Sequence, residues 1–375
     1  MNHLKRCWAE IDLSAVEYNL TEYKKLLPEG TELMCVVKAA CYGHDDRIIA
    51  PFLQNELGVK YFAVSNFDEA RRLRDMGIKG EILILGYTPP ELAQQIADLD
   101  ILQACTEYAY AEKLSQNTAD TVRLHIAVDT GMTRIGIRAD VSQTCDEIEK
   151  IAALPHISAE GIFTHYSSAD GTDKSDDDYT RMQTEKFFAV RDMLDKRGLV
   201  LKHAHCLNSA GGAYKYSQRS TLARLGIILY GLYPDPAKPL PFVPKPVMTL
   251  KAVVSQVKTI EQGTAVSYGR TFVSPRPMRL ATITAGYADG YPRALSNVGE
   301  VIINGSRCKI AGRVCMDQFM ADVTDAGDVR PGDIAELMNK DITADHIAAL
   351  TGTIGYEVTC LVTSRVSRIT SSTVD

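Results

Sequence analysis

A lysine closes the apolar run Leu33-Met34-Cys35-Val36-Val37, and Lys38 is followed by two alanines and then by Cys41-Tyr42-Gly43-His44. Five apolar residues, two of them β-branched, predict a strand hidden on both faces, as in a parallel sheet, where apolar and polar positions need not alternate. The small residues and Tyr-Gly beyond it predict the start of a loop. An ammonium at the end of a buried strand is costly unless paired, exposed or neutralised. Lysine is also the side chain whose pKa falls readily on burial, and a neutral amine is what Schiff-base chemistry needs. The strand pattern alone favours the plainer reading, a lysine that snorkels from a strand end.

Other reactive residue types are less organised. The eight histidines include no His-Glu-x-x-His and no facing pair at ligand spacing; His203 and His205 are read as alternating along a strand, so that at most one faces a site. Five aspartates crowd positions 170–178, but without the spacing or the terminal glutamate of a calcium loop, so a solvated loop leading into a helix is expected. Nine cysteines are scattered without a Cys-x-x-Cys pair. That speaks against a zinc site or a disulfide framework and for a reducing, cytoplasmic setting; no metal is expected.

The elements that must carry Lys38 alternate in type. Strands are predicted at Met34–Val37, Tyr61–Val64, Glu81–Leu85, Arg123–Val128 and Ile157–Phe163, and helices between them, as at Phe67–Met76 and Pro90–Leu99. Such alternation predicts a parallel α/β sheet. Counting the units favours a (β/α)8 barrel of the TIM type over a doubly wound sheet, since no Gly-x-Gly-x-x-Gly opens a first helix. Six prolines between Pro234 and Pro246 mark a stiff linker. Beyond it, β-branched runs at Leu250–Thr259, Arg279–Thr284, Glu300–Ile303, Ile334–Met338 and Thr359–Val366 predict a mostly-β domain. The expected division is a barrel over 8–233, a linker over 234–246 and a β domain over 247–375. A net charge of −6 without a sustained basic run argues against nucleic-acid and polybasic membrane partners. No apolar run reaches the ~18–20 residues of a membrane span, and Met1–Leu20 carries acids instead of an apolar signal segment.

Short stretches elsewhere join the lysine. Before the linker stand Val128-Asp129-Thr130-Gly131-Met132-Thr133-Arg134, Phe163-Thr164-His165, Asn208-Ser209-Ala210 and Arg224-Leu225-Gly226-Ile227-Ile228-Leu229-Tyr230-Gly231. After it come Val266-Ser267-Tyr268-Gly269, Gly286-Tyr287-Ala288-Asp289-Gly290-Tyr291, Gly312-Arg313-Val314-Cys315-Met316-Asp317-Gln318 and Ile354-Gly355-Tyr356-Glu357. Each is weak by itself. In this order and at these distances they resemble the alanine racemase family, pyridoxal-phosphate (PLP) enzymes of the barrel-plus-β-domain type, and the resemblance runs from Trp8-Ala9-Glu10 to Arg365-Val366.

The resemblance implies a homodimer with shared sites, interconversion of L- and D-alanine, and D-alanine supply for peptidoglycan. Lys38 matches the lysine that holds PLP as a Schiff base and serves as one of two bases. Tyr268 matches the second base, which reaches into the other subunit's barrel. Arg224 matches the arginine facing the pyridine nitrogen; a guanidinium has five donors and no acceptor, so it cannot pass a full proton to the ring. Tyr42, Ser209, Gly226, Ile227 and Tyr356 match the phosphate cradle, and His165 a histidine beside the ring. Arg134 matches an arginine on the cofactor's phenolic oxygen and the substrate carboxylate. Met316, with Tyr287, Cys315 and Asp317 around it, matches the second subunit's share of the substrate pocket.

One position departs. Many members have a carbamylated lysine two residues before Asp-Thr-Gly-Met, where this chain has Ala127. Arg134 is then expected as a buried cation whose partner is a bound anion, or a carboxylate or amide from a neighbouring strand. Three rivals are considered. A serine-preferring racemase of the glycopeptide-resistance type shares runs like Ile82-Leu83-Ile84-Leu85-Gly86-Tyr87, but carries a membrane portion and a smaller residue in place of Tyr356. A non-enzymatic PLP-binding barrel would lack the second domain, and a decarboxylase of the same fold should not need Tyr268.

Overall fold

The structure, a computed structural model, describes residues 6–138 and 140–371. Its first strand, β1 (Cys7–Ile11), does not enter the barrel. Eight parallel strands follow: β2 (Glu32–Val36), β3 (Tyr61–Val64), β4 (Glu81–Ile84), β5 (Leu102–Cys105), β6 (Val122–Ala127), β7 (Ile157–Phe163), β8 (His203–His205) and β9 (Leu222–Leu225). They pair in the order β8-β7-β6-β5-β4-β3-β2-β9, and a parallel bridge between Leu207 and Ala223 closes the ring, giving the expected (β/α)8 barrel. Helices intervene, such as Phe67–Asp75, whose cap Asn66 accepts the Glu69 N–H at 3.0 Å.

The strands are short and buried because each serves two cores. Met34, Val36, Ala63, Leu83, Leu102 and Leu222 pack together inside the barrel, while the intervening Cys35, Phe62, Ile82 and Ile84 join the larger core under the helices. By the same period of two, β6 turns Arg123 and His125 inward and β8 turns both His203 and His205 inward. The His125 ring lies 5.5 Å from that of His203 and 5.0 Å from that of His205. The expectation that these two histidines alternate is therefore overturned: residues i and i+2 of a strand share a face.

The second sheet runs Ser306–Lys309, Glu300–Ile303, Ile334–Met338, Met248–Ile260, β1, Ser367–Thr370, with Met278–Ile283 and Phe319–Asp322 attached to the long strand Met248–Ile260. Residues 8–11, expected in the barrel, belong here, β1 lying antiparallel to Met248–Ile260 and parallel to Ser367–Thr370. A second difference falls at Thr359–Val366, where a strand was expected. The helix Gly355–Leu361 covers its start, with Gly355, Val358 and Thr359 buried. That is helical spacing, and it outweighs the β-branching.

Toward the N-terminal end of the barrel Arg123 joins three acids, Glu81 at 2.8 Å, Asp100 at 2.8 Å and Glu160 at 2.6 Å. The Arg123 hydrogen bonds hold the Glu160 carboxyl below its usual pKa, against the effect of burial. A depressed carboxylate stabilises the fold above its unfolded pKa and loses that contribution as pH falls through the folded one. Arg123→Met is expected to cost between the ~1 kcal/mol of an exposed pair and the ~3–5 kcal/mol of a broken buried one. It should also flatten the acid limb of the stability–pH profile below about pH 4.3. Denaturant titrations from pH 3 to 7 (working conditions, about the carboxylate range) check both; an unchanged acid limb would refute the assignment.

Candidate active site

The residues just past the C-terminal ends of the barrel strands meet at one mouth, as in barrel enzymes generally. Two adjoining cavities, of about 300 and 350 Å³, share Lys38, Leu85, Met132, Arg134, His165 and Arg224 in their walls. Lys38 follows β2 after one residue, Val37. Instead of a loop, a single helical turn, Lys38–Tyr42, continues the chain, and it is left-handed: Ala39, Ala40, Cys41 and Tyr42 have φ between +50° and +57°. Non-glycine residues pay about 1–2 kcal/mol each for that conformation and rarely adopt it in series. Gly43 (φ +85°) ends the turn, and a Cβ there would lie 2.1 Å from the Thr359 carbonyl oxygen. Burial, with the Arg134 charge, lowers the Lys38 pKa against the opposing pull of Glu69. Its ammonium lies 5.8 Å from the Tyr42 ring centroid.

Arg224, on β9, is only 3% exposed. A buried guanidinium needs acceptors on all sides. Its NH1 donates to His205 Nδ1 (2.8 Å) and His205 O (3.0 Å). NH2 donates to Thr164 O (2.7 Å) and His165 Nδ1 (3.2 Å). Four of five N–H groups are thus placed, and among the described residues Nε–H has no partner while Arg224 lines both cavities. Burial draws its pKa down to about 10, so it stays charged at neutral pH. Since Arg224 can only donate, His205 Nδ1 is an acceptor and its hydrogen sits on Nε2, which then donates to His125 Nδ1 at 2.8 Å. Burial, then the Arg224 charge, pushes the His205 pKa well down; burial takes His125 to about 3.

At the same mouth Ser209, Tyr42, Gly226, Ile227 and Tyr356 line one cavity. Gly226 N–H donates to Ser209 Oγ at 2.9 Å. A Cβ on Gly226 would sit 3.0 Å from the Tyr42 hydroxyl and 3.6 Å from Ser209 Oγ, so a side chain there would crowd the gap between these hydroxyls. Burial raises the pKa of Tyr42 and of Tyr356, keeping both phenols as donors. The donor set, hydroxyls and backbone N–H groups around a gap a side chain would fill, fits the phosphate of PLP. Ala127 forms part of the upper wall. Arg134 is exposed in this chain and has no hydrogen bond or ion pair among the described residues, so the buried cation expected there is not found.

Not every expected residue is gathered at this mouth. Tyr268 is 71% exposed, Met316 52% and Tyr287 43%; all three lie in the C-terminal unit, outside the two cavities. Asp317 is paired with Arg365 at 2.8 Å, and Cys315 Sγ approaches Ser267 Oγ and Arg313 O. Sequence reasoning missed His125, His205 and Glu69 as supports of the site. The inward face of β6 and β8 was the available signal for the histidines, and none existed for Glu69, which accepts the Ala39 N–H (2.7 Å) from an adjacent helix.

A cavity at the C-terminal mouth of a closed parallel barrel, with a desolvated lysine in its wall and a β sheet in the same chain, defines the class: a (β/α)8-barrel enzyme with a β domain. The family description "Alanine racemase, N-terminal domain" matches residues 11–234, and "Alanine racemase, C-terminal domain" matches 247–370. An alanine racemase of Clostridium tetani is 41% identical over 98% of this chain and 96% of its own. Among solved structures, an alanine racemase of Clostridium difficile 630 superposes with a TM-score of 0.93 at 34% identity, covering 99% of this chain and 97% of that one. The alanine racemase of Bacillus anthracis with bound L-Ala-P gives 0.91 at 32%, over 100% and 97%. This chain belongs to the alanine racemase family.

The hydrogen-bond directions around Arg224 have a measurable consequence. His125 and His205 should remain neutral with the hydrogen on Nε2 from about pH 5 to 8, a range in which an ordinary histidine titrates. Histidine-selective ¹⁵N spectra of wild type, assigned with His125→Gln and His205→Gln, check this. A titration of either ring in that interval would contradict the arrangement.

Proposed function

We propose that this chain interconverts L- and D-alanine with PLP attached at Lys38, using Lys38 and Tyr268 of the partner subunit as the two proton-transferring groups. Bound PLP supplies an electron sink for the pair left when the α-hydrogen departs as a proton. The single observation that carries the reading is the desolvated Lys38 amine in the same cavity wall as Arg224, which keeps one donor unspent among the described residues.

Lys38 Nζ, with its pKa lowered, is poised to take up or return the α-proton on one face of the substrate. Inversion needs a second group on the other face, and the phenols of the chain's own mouth, Tyr42 and Tyr356, are assigned to the phosphate. Tyr268, exposed on the C-terminal unit, is suited to supply it across a dimer interface. Arg224 can hold the ring nitrogen only as a donor, which keeps the ring from full protonation and so limits side reactions. Ser209, Tyr42, Tyr356 and the backbone of Gly226 and Ile227 would hold the phosphate, and His165 would lie beside the ring. Arg134 would take the substrate carboxylate, with Tyr287, Met316 and Asp317 closing the pocket from the partner side.

We divide the chain within the proline-rich 234–246 segment and assign β1 to the C-terminal unit. No helix of the described residues is long and apolar enough to cross a membrane. Nine free thiols, seven of them buried, suit the reducing cytoplasm, where D-alanine for peptidoglycan is made.

Tyr268→Phe is expected to lose nearly all racemisation while keeping the visible absorbance of bound PLP. Mixed with Lys38→Ala, it should regain part of the activity through heterodimers with one intact site; full activity of a demonstrably monomeric protein would contradict the shared site. Alanine should be turned over faster than serine, and Tyr356→Asn should move the ratio toward serine by about 1–3 kcal/mol. Equal or faster serine turnover by the unmodified protein would instead favour a serine racemase.

A further inference from the structure

The left-handed turn that carries Lys38 is held by its own backbone bonds, Cys41 N–H to Val37 O at 3.1 Å and Gly43 N–H to Ala39 O at 2.9 Å, and by side chains from outside it. The Ala39 N–H is taken by Glu69, and the Cys41 and Tyr42 carbonyls accept from His44 Nδ1 at 2.9 and 3.0 Å. The contact at its end comes from the far end of the chain. Arg368, in the strand Ser367–Thr370, donates from Nε and NH2 to the Gly43 carbonyl at 3.0 and 2.8 Å. Its other hydrogens go to Thr363 O (2.5 Å), Val366 O (2.7 Å) and Val362 O (2.6 Å).

All five donors of one guanidinium are therefore spent on backbone carbonyls, three of them in the segment that leads back from helix Gly355–Leu361. That helix also contributes Thr359, whose carbonyl lies so close to Gly43 that only glycine fits. Arg368 is partly buried, and burial lowers its pKa while the nearby Asp45 opposes the shift. Lysine could not reproduce this fork: it is a point charge on a flexible stem.

We propose that Arg368 is a positioning residue for Lys38: by locking the Gly43 carbonyl onto the β sheet it keeps the left-handed turn in place and so sets the direction of the Lys38 amine. The inference rests on the reading of Lys38 as the cofactor-bearing lysine. A catalytic amine on a strained turn keeps one direction only when both ends of the turn are fixed, and Arg368 ties the far end to the β sheet.

The test uses the holoenzyme and three variants: Arg368→Met, Arg368→Lys and Lys38→Ala. Turnover is normalised to bound chromophore, visible circular dichroism reports the asymmetry of the cofactor's surroundings, and hydrogen exchange by mass spectrometry follows the 38–46 peptide. Arg368→Met should lower kcat by about tenfold to a hundredfold with a much smaller change in KM. It should also alter the visible dichroism and speed exchange in that peptide, and Arg368→Lys should recover part of each. Wild-type dichroism and kcat per bound chromophore in both arginine variants would overturn the proposal. So would a general loss of folded protein whose remaining fraction behaves as wild type, because that is what a purely structural arginine gives. If Arg368→Met does not fold, Arg368→Lys is measured in the same three ways: a lowered kcat with altered dichroism supports the proposal, and wild-type values overturn it. Racemisation by Lys38→Ala would instead overturn the reading of Lys38.

Discussion

A cation buried inside a barrel is the constraint around which the site is arranged. Arg224 is almost wholly removed from water, and the cost of that burial is bearable only because its neighbours are all acceptors. They come from adjacent strands: Thr164 O and His165 from just past β7, and His205 from β8. The same bonds fix the tautomer of His205 and through it that of His125. They also tie β7, β8 and β9 together where the barrel closes. Because the guanidinium can only donate, every group it bonds must accept, and the one N–H left over among the described residues decides what kind of atom can sit beside it.

The second constraint is that the two units are interleaved. β1 lies in the C-terminal sheet, and the chain passes from it into helix Leu13–Lys24, which packs against the segment Ile227–Tyr230 that follows β9. There Asn19 donates to Leu229 O and Lys245 O, and the Tyr23 hydroxyl donates to Asn208 O, beside Ser209. The last strand of the chain lies next to the first and reaches the Lys38 turn through Arg368. The β sheet is thus joined to the mouth through both of its terminal strands, which is a reason for the resemblance to extend over the whole chain instead of the barrel alone.

Much of this was legible in the amino-acid sequence. The buried run before Lys38 announced a parallel strand, and Glu300–Ile303 and Ile334–Met338 were placed to the residue, because period and composition agreed there. Other features depended on contacts distant in the chain. Nothing in Lys38-Ala39-Ala40-Cys41-Tyr42 signals a left-handed turn; its propensities point elsewhere, and tertiary bonds from Glu69 and Arg368, with a local one from His44, override them. Thr359–Val366 misled because β-branched residues were weighed above their helical spacing. At the mouth, Lys38, Tyr42, Arg134, His165, Ser209, Arg224 and Tyr356 do converge on adjoining cavities. Tyr268, Tyr287, Met316 and Asp317 stand apart from them in the single chain, and a sequence motif cannot say by itself which copy a residue serves.

Everything proposed for the reaction depends on Lys38 being the covalent anchor of PLP. Incubating the purified protein with PLP, reducing it with borohydride and mapping the modified peptide by mass spectrometry tests that most directly. The expected result is a yellow protein whose colour is lost on reduction, with the cofactor's mass fixed on Lys38 and on no other lysine. A protein that stays colourless after incubation, or a label that distributes over surface lysines and spares Lys38, would contradict it.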